Sequence, residues 1–432
     1  MTRLTITGVK AVGNRLTVHF ECTGALKKFF KQNLFFAEYN IPIEDVPESI
    51  LVIPFLGTVC PVAWANNATV YIDTVDESFL YALQKVKATI QRFYPKVQFR
   101  GNIQVKKIVK LEVVANSRSM MLFSGGLDSL TTYVRHQTEN PILVSIHGQD
   151  IPSNDFESWN TLADALKAFS DKTESKLLTI RSNFRSMLHE LLLNVCYDRH
   201  IPHSWYGGVG HGLILLSLCA PIAFKEKVGK LYIASSRDRE HPLPWGSHPD
   251  IDNNVEWAGT KVVHDGYELT RQDKIGVLAD YIKAEGPLYI RTCFQLDRGD
   301  NCSRCEKCCR TILGLEMAGI DPNECGYVVD ADTFAWIKQN LLYGKWPDEV
   351  VMFLWKDIQR HIRLDNVVHK KEAEELVVWL KNVNFDEIMQ RQKENIRIQK
   401  RLFIKFTKHL PDPLYMFIKR ILFNLSYTGW YF

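Results

Sequence analysis

The sequence predicts an α/β protein: a parallel sheet with helices on both faces, preceded by an α+β unit and followed by a helical region. Two observations carry this. Between residues 116 and 325, short β-rich runs ("MMLFS", "PILVSIHG", "KLLTIRS", "KLYIASS") alternate with helical stretches ("LADALKAF", "RSMLHELLLNV", "GLILLSLCAPIAFKEK"), the pattern of a parallel sheet covered on both sides. The first of these runs ends in a small polar turn, Ser124-Gly125-Gly126, which opens a helical stretch at Leu127. At 432 residues the chain exceeds one ordinary domain, and its texture divides it into 1–115, 116–325 and 326–432.

In the first segment "LTITGV" and "RLTVHFE" alternate apolar and polar residues around Gly13-Asn14, a hairpin signal. "ILVIPFLGTVCPVAW" and "ATVYID" add strand-like pieces. "SFLYALQKVKATIQRFY" then places Phe79, Leu83, Val86, Ile90 and Phe93 at helical spacing. The last segment reads as helices over "DTFAWIKQNLL", "DEVVMFLWKDIQRHI" and "KEAEELVVWLKNV". There is no internal repeat and no low-complexity linker.

A composition of 46% hydrophobic and 24% charged residues suits a globular protein with a full core. The net charge of +4 does not argue for nucleic acid. It is unevenly placed: from Ile398 to Phe432 six basic residues (Lys400, Arg401, Lys405, Lys408, Lys419, Arg420) face one acid, Asp412, so this tail carries +5 and the rest −1. The tail mixes these bases with aromatic and aliphatic residues. Three readings are open for it: contact with an anionic membrane, contact with a nucleic-acid backbone, or packing of its apolar side on the protein. The N-terminus has no apolar run of signal-peptide length, and no run of 18 apolar residues predicts a spanning helix. Ten cysteines, five of them between Cys293 and Cys309, without an export signal, predict a metal site in a reducing cytoplasm.

The turn "SGGLDS" carries the chemistry. Two glycines let a backbone approach a ligand closely, and the free N–H groups at a helix start attract an anion. Ser124 and Ser129 add hydroxyl donors. Asp128 fits beside a phosphate only if it binds a metal or orients a neighbour. The alternative is a tight turn that merely ends a core strand. Neither the G-x-x-x-x-G-K-[ST] nor the G-x-G-x-x-G pattern is present. In "CFQLDRGDNCSRCEKCCRT", Cys293, Cys302, Cys305 and Cys308 are separated by eight, two and two residues. Four thiolates satisfy tetrahedral zinc, and such a closed site is structural. An iron–sulfur cluster or free thiols are the alternatives, and Cys309 reads as a packing residue.

The string S-G-G-L-D-S resembles the S-G-G-x-D-S signature of the PP-loop ATP pyrophosphatases. The cysteine spacing, followed by Arg310, resembles the zinc site of one branch of them, the 7-cyano-7-deazaguanine synthases. The resemblance covers Arg118 to Ile320. It implies that Ser124, Gly125, Gly126, Leu127, Asp128 and Ser129 bind ATP with Mg2+, and that Cys293, Cys302, Cys305 and Cys308 hold Zn2+. Asp128, Arg271 and Lys274 are the catalytic candidates, the last two three residues apart at a helix start, where a solvated helix face is the other reading. His211, Ser235, Arg237, Asp238, His248 and Asp250 are the substrate-binding candidates. Ser235 to Asp238 follow a strand, where such sheets bind ligands. "SHPD" is a loose analogue of the family's tyrosine–proline–aspartate element. His211 stands where the family has an arginine–asparagine pair, and also reads as a capping or packing residue. Ser145, His147 and Gln149 fall near the expected adenine position.

The function that follows is ATP-dependent adenylation of a carboxylate, possessed by a small molecule such as a deazapurine or by a protein. Ammonia or another amine would be the nucleophile. The N-terminal unit would recognise a protein partner, and a homodimer is the expected assembly. RNA thiolation, or nucleotide sensing without turnover, are the alternatives.

Overall fold

The computed structural model describes residues 2–111, 118–293, 299–343, 346, 349–363, 367–395, 410–411, 414 and 418. The chain forms an α/β fold around one eleven-stranded, mostly parallel sheet. In chain order the strands are β1 (Arg3–Val12), β2 (Arg15–Cys22), β3 (Leu34–Tyr39), β4 (Thr69–Asp76), β5 (Asn102–Val109) and β6 (Ser119–Leu122), then β7 (Ile142–His147), β8 (Leu177–Ser182), β9 (Lys230–Ala234), β10 (Glu256–Trp257) and β11 (Thr260–Asp265). Their spatial order is β10-β11-β9-β6-β7-β8-β3-β2-β1-β4-β5. Strands β11, β9, β6, β7 and β8 run parallel. β3 pairs antiparallel with β8 in the register Ala37↔Ser182 and Tyr39↔Ile180, so the N-terminal strands extend the central sheet. The boundary expected at 115/116 lies outside the described residues.

The helices that matter here are α1 (Glu48–Leu51), α2 (Ile53–Ala65), α3 (Glu77–Phe93), α4 (Leu127–His136), α5 (Phe156–Lys172), α6 (Phe184–Met187), α7 (Glu190–Tyr197), α8 (His211–Leu218) and α9 (Ala220–Lys225). They are followed by α10 (Pro249–Asp252), α11 (Arg271–Glu285), α12 (Glu306–Met317), α13 (Thr333–Leu342), α14 (Glu349–Arg360), α15 (Lys370–Asn382) and α16 (Phe385–Asn395). Successive strand residues point to opposite faces. Met120, Val144 and Leu231 therefore enter one core with α2, α3, α8 and α9, while their neighbours Met121, Leu143 and Tyr232 enter a second with α4, α11, α12 and the C-terminal helices.

Helix α3 follows its sequence pattern. Asp76 accepts the Phe79 N–H at 3.0 Å as N-cap, and Phe79, Leu83, Val86 and Ile90 are fully buried while Phe93 is partly so. Each such side chain contributes about 1.5–3 kcal/mol of burial. The run "ILVIPFLGTVCPVAW" departs from expectation. It is helical in α1 and α2, and every residue from Ile53 to Trp64 is buried. A helix that is apolar all round has no period to distinguish it from a buried strand, and Pro54 sits in its first turn, where proline is tolerated. The helical run Tyr206–Lys225 (20 residues, mean hydropathy 1.7) is long and apolar enough to cross a membrane, but 89% of its apolar window is buried inside the protein. It is a core helix, opened by a π-helical turn over Tyr206–Gly210.

Candidate functional site

The site is built where strand order reverses. The chain leaves β6 for β7 and β8 on one side and returns to β9 on the other, and the crevice beyond the carboxyl ends of such strands is the usual ligand position. The turn Ser124–Gly126 follows β6, and Ser235–Asp238 follow β9.

Gly125 has φ 68°, a left-handed conformation that favours glycine. Its carbonyl accepts the Arg291 N–H at 2.9 Å, which fixes the turn from the C-terminal side. Ser129 Oγ donates to the Gly126 carbonyl at 3.1 Å and accepts the Ser124 N–H at 3.3 Å. Ser124 itself is exposed. Gly126 is the N-cap of α4 and supplies no side-chain cap, so the first N–H groups of that helix receive no side-chain acceptor from it.

Asp128, in the first turn of α4, receives Lys274 Nζ at 2.9 Å. Lys274 also donates to the Ser235 carbonyl. One ammonium thereby ties the turn after β6 to the turn after β9. Burial alone would raise the Asp128 carboxyl. The charges of Lys274 and Arg271, the hydrogen bond from Lys274 and the charge of Lys307 outweigh it and hold the group below the usual carboxylate range. Asp128 is thus the carboxylate partner of Lys274. Thr270 and Asp273 form a capping box at the start of α11, which fixes Arg271 and Lys274 three residues apart on one face. Arg271 Nη2 donates to Thr311 Oγ1 of α12 at 2.8 Å, so neither cation is a solvated helix-face residue.

The substrate candidates separate into groups. Ser235 contributes its carbonyl to Lys274, while its hydroxyl donates to the Arg237 carbonyl at 2.6 Å. Asp238 is buried and holds its own turn, accepting the N–H groups of Glu240 and His241, each at 3.0 Å. The Arg237 guanidinium lies over Trp245 (5.2 Å) and Phe353 (5.8 Å). His211 packs against Tyr206 (5.2 Å) and Trp245 (6.1 Å), its Nδ1 makes no hydrogen bond, and burial lowers its pKa. His248 and Asp250 do not join the loop. His248 caps α10 through the Asp250 N–H (3.1 Å), and Asp250 pairs with Arg92 of α3 at 2.6 Å on the surface. His147 is buried, stacked 4.6 Å from Trp159 and bonded to the Pro152 carbonyl at 2.7 Å.

The four cysteines come together. The Sγ atoms of Cys293, Cys302, Cys305 and Cys308 all lie within 4.8 Å of one another, enough to hold a metal ion. Ser303 has φ 56° in the turn between two of them, and the Cys305 N–H points at Cys302 Sγ at 3.2 Å. Asn301 Oδ1 accepts the N–H groups of Thr292 (2.8 Å) and Cys293 (3.2 Å) and anchors the first ligand. The hydrogen bond from Cys293 brings the Cys302 thiol down to about 6, while Cys293, Cys302 and Cys305 drive Cys308 far up. Four thiols this close cannot all ionise unaided, and a tetrahedral cation such as zinc is what they fit. Cys309 is fully buried and bonds the Ser303 carbonyl at 3.7 Å, a packing residue.

Sequence reasoning missed that α12 packs beside α11, where Arg271 Nη2 meets Thr311 Oγ1. Lys307 lies within electrostatic reach of Asp128 and Arg271, and Arg310 is buried beside Glu306 at 3.2 Å. Both stand between or just after the four clustered cysteines, and the sequence pattern there gives no sign of their electrostatic partners. Of the basic tail, Leu410, Pro411, Leu414 and Ile418 alone are described, with Arg199 Nη1 donating to the Leu410 carbonyl at 2.7 Å. Its membrane, nucleic-acid and packing readings lie outside the described residues.

No family model, curated protein or solved structure matches the chain.

Proposed function

We propose that the protein is an ATP-dependent adenylating enzyme of the PP-loop type, activating a carboxylate for attack by a nitrogen nucleophile. The observation that carries this is Lys274, which bridges Asp128 and the Ser235 carbonyl across the crevice beside a glycine turn whose Ser124 is exposed.

On this reading the β- and γ-phosphates of ATP rest on the N–H groups of the turn and of the α4 start, with Ser124 and Ser129 as hydroxyl donors. Mg2+ accompanies the triphosphate and neutralises part of its charge, held by phosphate oxygens and water. A carboxylate oxygen of the acceptor attacks the α-phosphorus. The bond to the bridging oxygen breaks and pyrophosphate leaves. Lys274 and Arg271 stabilise the charge that develops on it, the role of preorganised donors in a partly dry site. The product is an acyl-adenylate, whose carbonyl an amine attacks with loss of AMP. In the synthases that the motifs resemble, ammonia gives an amide and a second ATP dehydrates it to a nitrile. The four-cysteine site, closed by its own ligands, is structural zinc.

The acceptor is a deazapurine acid or a carboxylate on a protein partner docked by the N-terminal strands, and the enzyme works as a homodimer in the cytoplasm. The test is release of AMP and pyrophosphate from Mg·ATP with and without 7-carboxy-7-deazaguanine and ammonium, with Asp128→Ala as control. Release that depends on the acid identifies the acceptor. Release that appears only with a protein carboxylate assigns the chemistry to that target. Formation of ADP and phosphate contradicts adenylation.

A further inference from the structure

The eleven-stranded sheet ends differently on its two sides. At one end stands β10, two residues long (Glu256–Trp257). Helix α3 lies against it. Lys85 pairs with Glu256 at 3.5 Å, and the Ala258 N–H donates to Oδ1 of Asp76, the N-cap of α3, at 3.2 Å. Trp257 is fully buried. A short, covered strand offers little for another chain to pair with. At the other end stands β5, eight residues long (Asn102–Val109), none of them buried. It pairs with β4 on one side, and among the described residues no strand meets its other side.

The Asn102 N–H donates to the Ala68 carbonyl at 3.1 Å, on the β4 side. The register with β4 runs in step from Thr69↔Asn102 to Asp76↔Val109. Backbone groups alternate between the two sides of a strand, so those of Ile103, Val105, Lys107 and Val109 face the open edge. The side chains of Ile103 and Val105 pack on the core and anchor the strand. The charge of this edge is one-sided. From Lys96 to Leu111 the chain carries five cations (Lys96, Arg100, Lys106, Lys107, Lys110) and no acid, and all five are exposed. Lys106 pairs with Asp73 at 2.7 Å, and the other four form no ion pair among the described residues.

Three kinds of occupant fit an open, basic strand edge, and chemistry separates them. A second copy pairing β5 with β5 about a two-fold axis brings lysines against lysines, which opposes association. The phosphates of a nucleic acid match the cations, but they only accept hydrogen bonds and leave the outward carbonyls unmet. An extended peptide meets both the N–H and the C=O groups, and acidic side chains on it meet the lysines. Lysine on an open edge guards against self-pairing. The same charge that turns away a second copy admits an acidic strand. We propose that β5 is a docking edge for an extended acidic segment of a partner protein, which adds to the sheet as a further strand. This gives the protein partner considered above a place to dock, and it holds whether or not the turn at Ser124–Ser129 binds ATP.

The experiment uses the full chain without nucleotide and a fluorescein-labelled peptide of alternating glutamate and valine, eight residues long like β5. Anisotropy gives the affinity, and hydrogen–deuterium exchange of residues 102–109 gives the mode of contact. The expected results are saturable binding, slowed exchange over that segment, and no binding of the lysine–valine counterpart. Val105→Pro removes one outward N–H at a place where an edge strand tolerates proline, and it weakens binding about tenfold. Should circular dichroism show that variant unfolded, the exposed pair Lys107→Glu with Lys110→Glu carries the test and abolishes binding. Binding without slowed exchange, or tighter binding of a single-stranded oligothymidylate, reduces the edge to a charged surface and overturns the proposal. A dimer in gel filtration that Val105→Pro disperses assigns the edge to a second copy and overturns it too. Failure of the glutamate–valine peptide to bind does the same. None of these outcomes bears on adenylation, which AMP release reads separately.

Discussion

Two polar clusters of the chain differ in how far they are closed off from solvent. Around the turn at Ser124–Ser129, the buried Lys274 pairs with Asp128, whose side chain is 26% exposed, and Ser124 is open to solvent. Beside α8 and α10, one acid meets one imidazole: Asp252 accepts Ser247 Oγ at 2.7 Å and pairs with His264 Nδ1 at 2.7 Å, with side chains 0% and 1% exposed. The remaining atoms of that pair, Asp252 Oδ1 and His264 Nε2, make no hydrogen bond and are closed off from solvent. A matched, sealed pair belongs to the architecture. An ion pair that reaches solvent on its carboxylate side, beside an open serine, is within reach of a ligand. Polar burial alone therefore does not mark a site, whereas a buried cation beside a solvent-open turn does.

Substitutions in the two clusters should separate cleanly. The largest effect is expected from Lys274→Gln, which removes the bridge between Asp128 and Ser235. Acceptor-dependent AMP formation should fall by about 100-fold or more, the scale of losing one preorganised donor, as read by steady-state rates. Asp252→Ala leaves His264 without its carboxylate. It should cost about 3 kcal/mol of stability, the usual penalty for breaking a buried pair, as read by denaturant unfolding, with ATP affinity unchanged. Equal loss of ATP binding in both variants would erase the distinction between the clusters.

A smaller effect is set by pH. Asp128 is held below its ordinary value of 3.8, so its pairing with Lys274 stabilises the fold fully above that value. The contribution is lost as pH falls through the lower folded-state value. Stability measured between neutral and acid pH should therefore drop less in Asp128→Asn than in wild type. The smallest effect is expected at Asp250. Its pair with Arg92 is half-exposed on both sides (side chains 50% and 63% exposed), and Asp250→Asn should change stability by less than about 1 kcal/mol and leave turnover intact. A marked loss of turnover would return Asp250 to the site.

Much of this was legible in the sequence because local chemistry dictates it. The strand–turn–helix at Met120–Ser129 follows from an apolar run, two glycines and amphipathic spacing. The cysteine spacing brings four sulfurs together through short turns. What was not legible depends on tertiary placement. Helix α2 is apolar on every side, so no period reveals it. Asp250 and Asp252 stand two residues apart in one short helix, and only the fold puts the first against Arg92 at the surface and the second against His264 inside. The contact of Arg271 with Thr311 depends on α12 packing on α11, which no local pattern reveals. The N-terminal strands carry no catalytic pattern, and their continuity with the central sheet depends on one long-range pairing, β3 with β8.

The most direct test of the central claim is a crystal structure with a non-hydrolysable ATP analogue cleavage-resistant between the α- and β-phosphates. The account predicts the β- and γ-phosphates against the backbone of Ser124–Ser129, with Lys274 and Arg271 in contact with their oxygens and the adenine beyond the end of β7. An analogue bound elsewhere, with the turn unliganded and Lys274 still engaged only by Asp128 and Ser235, would contradict it.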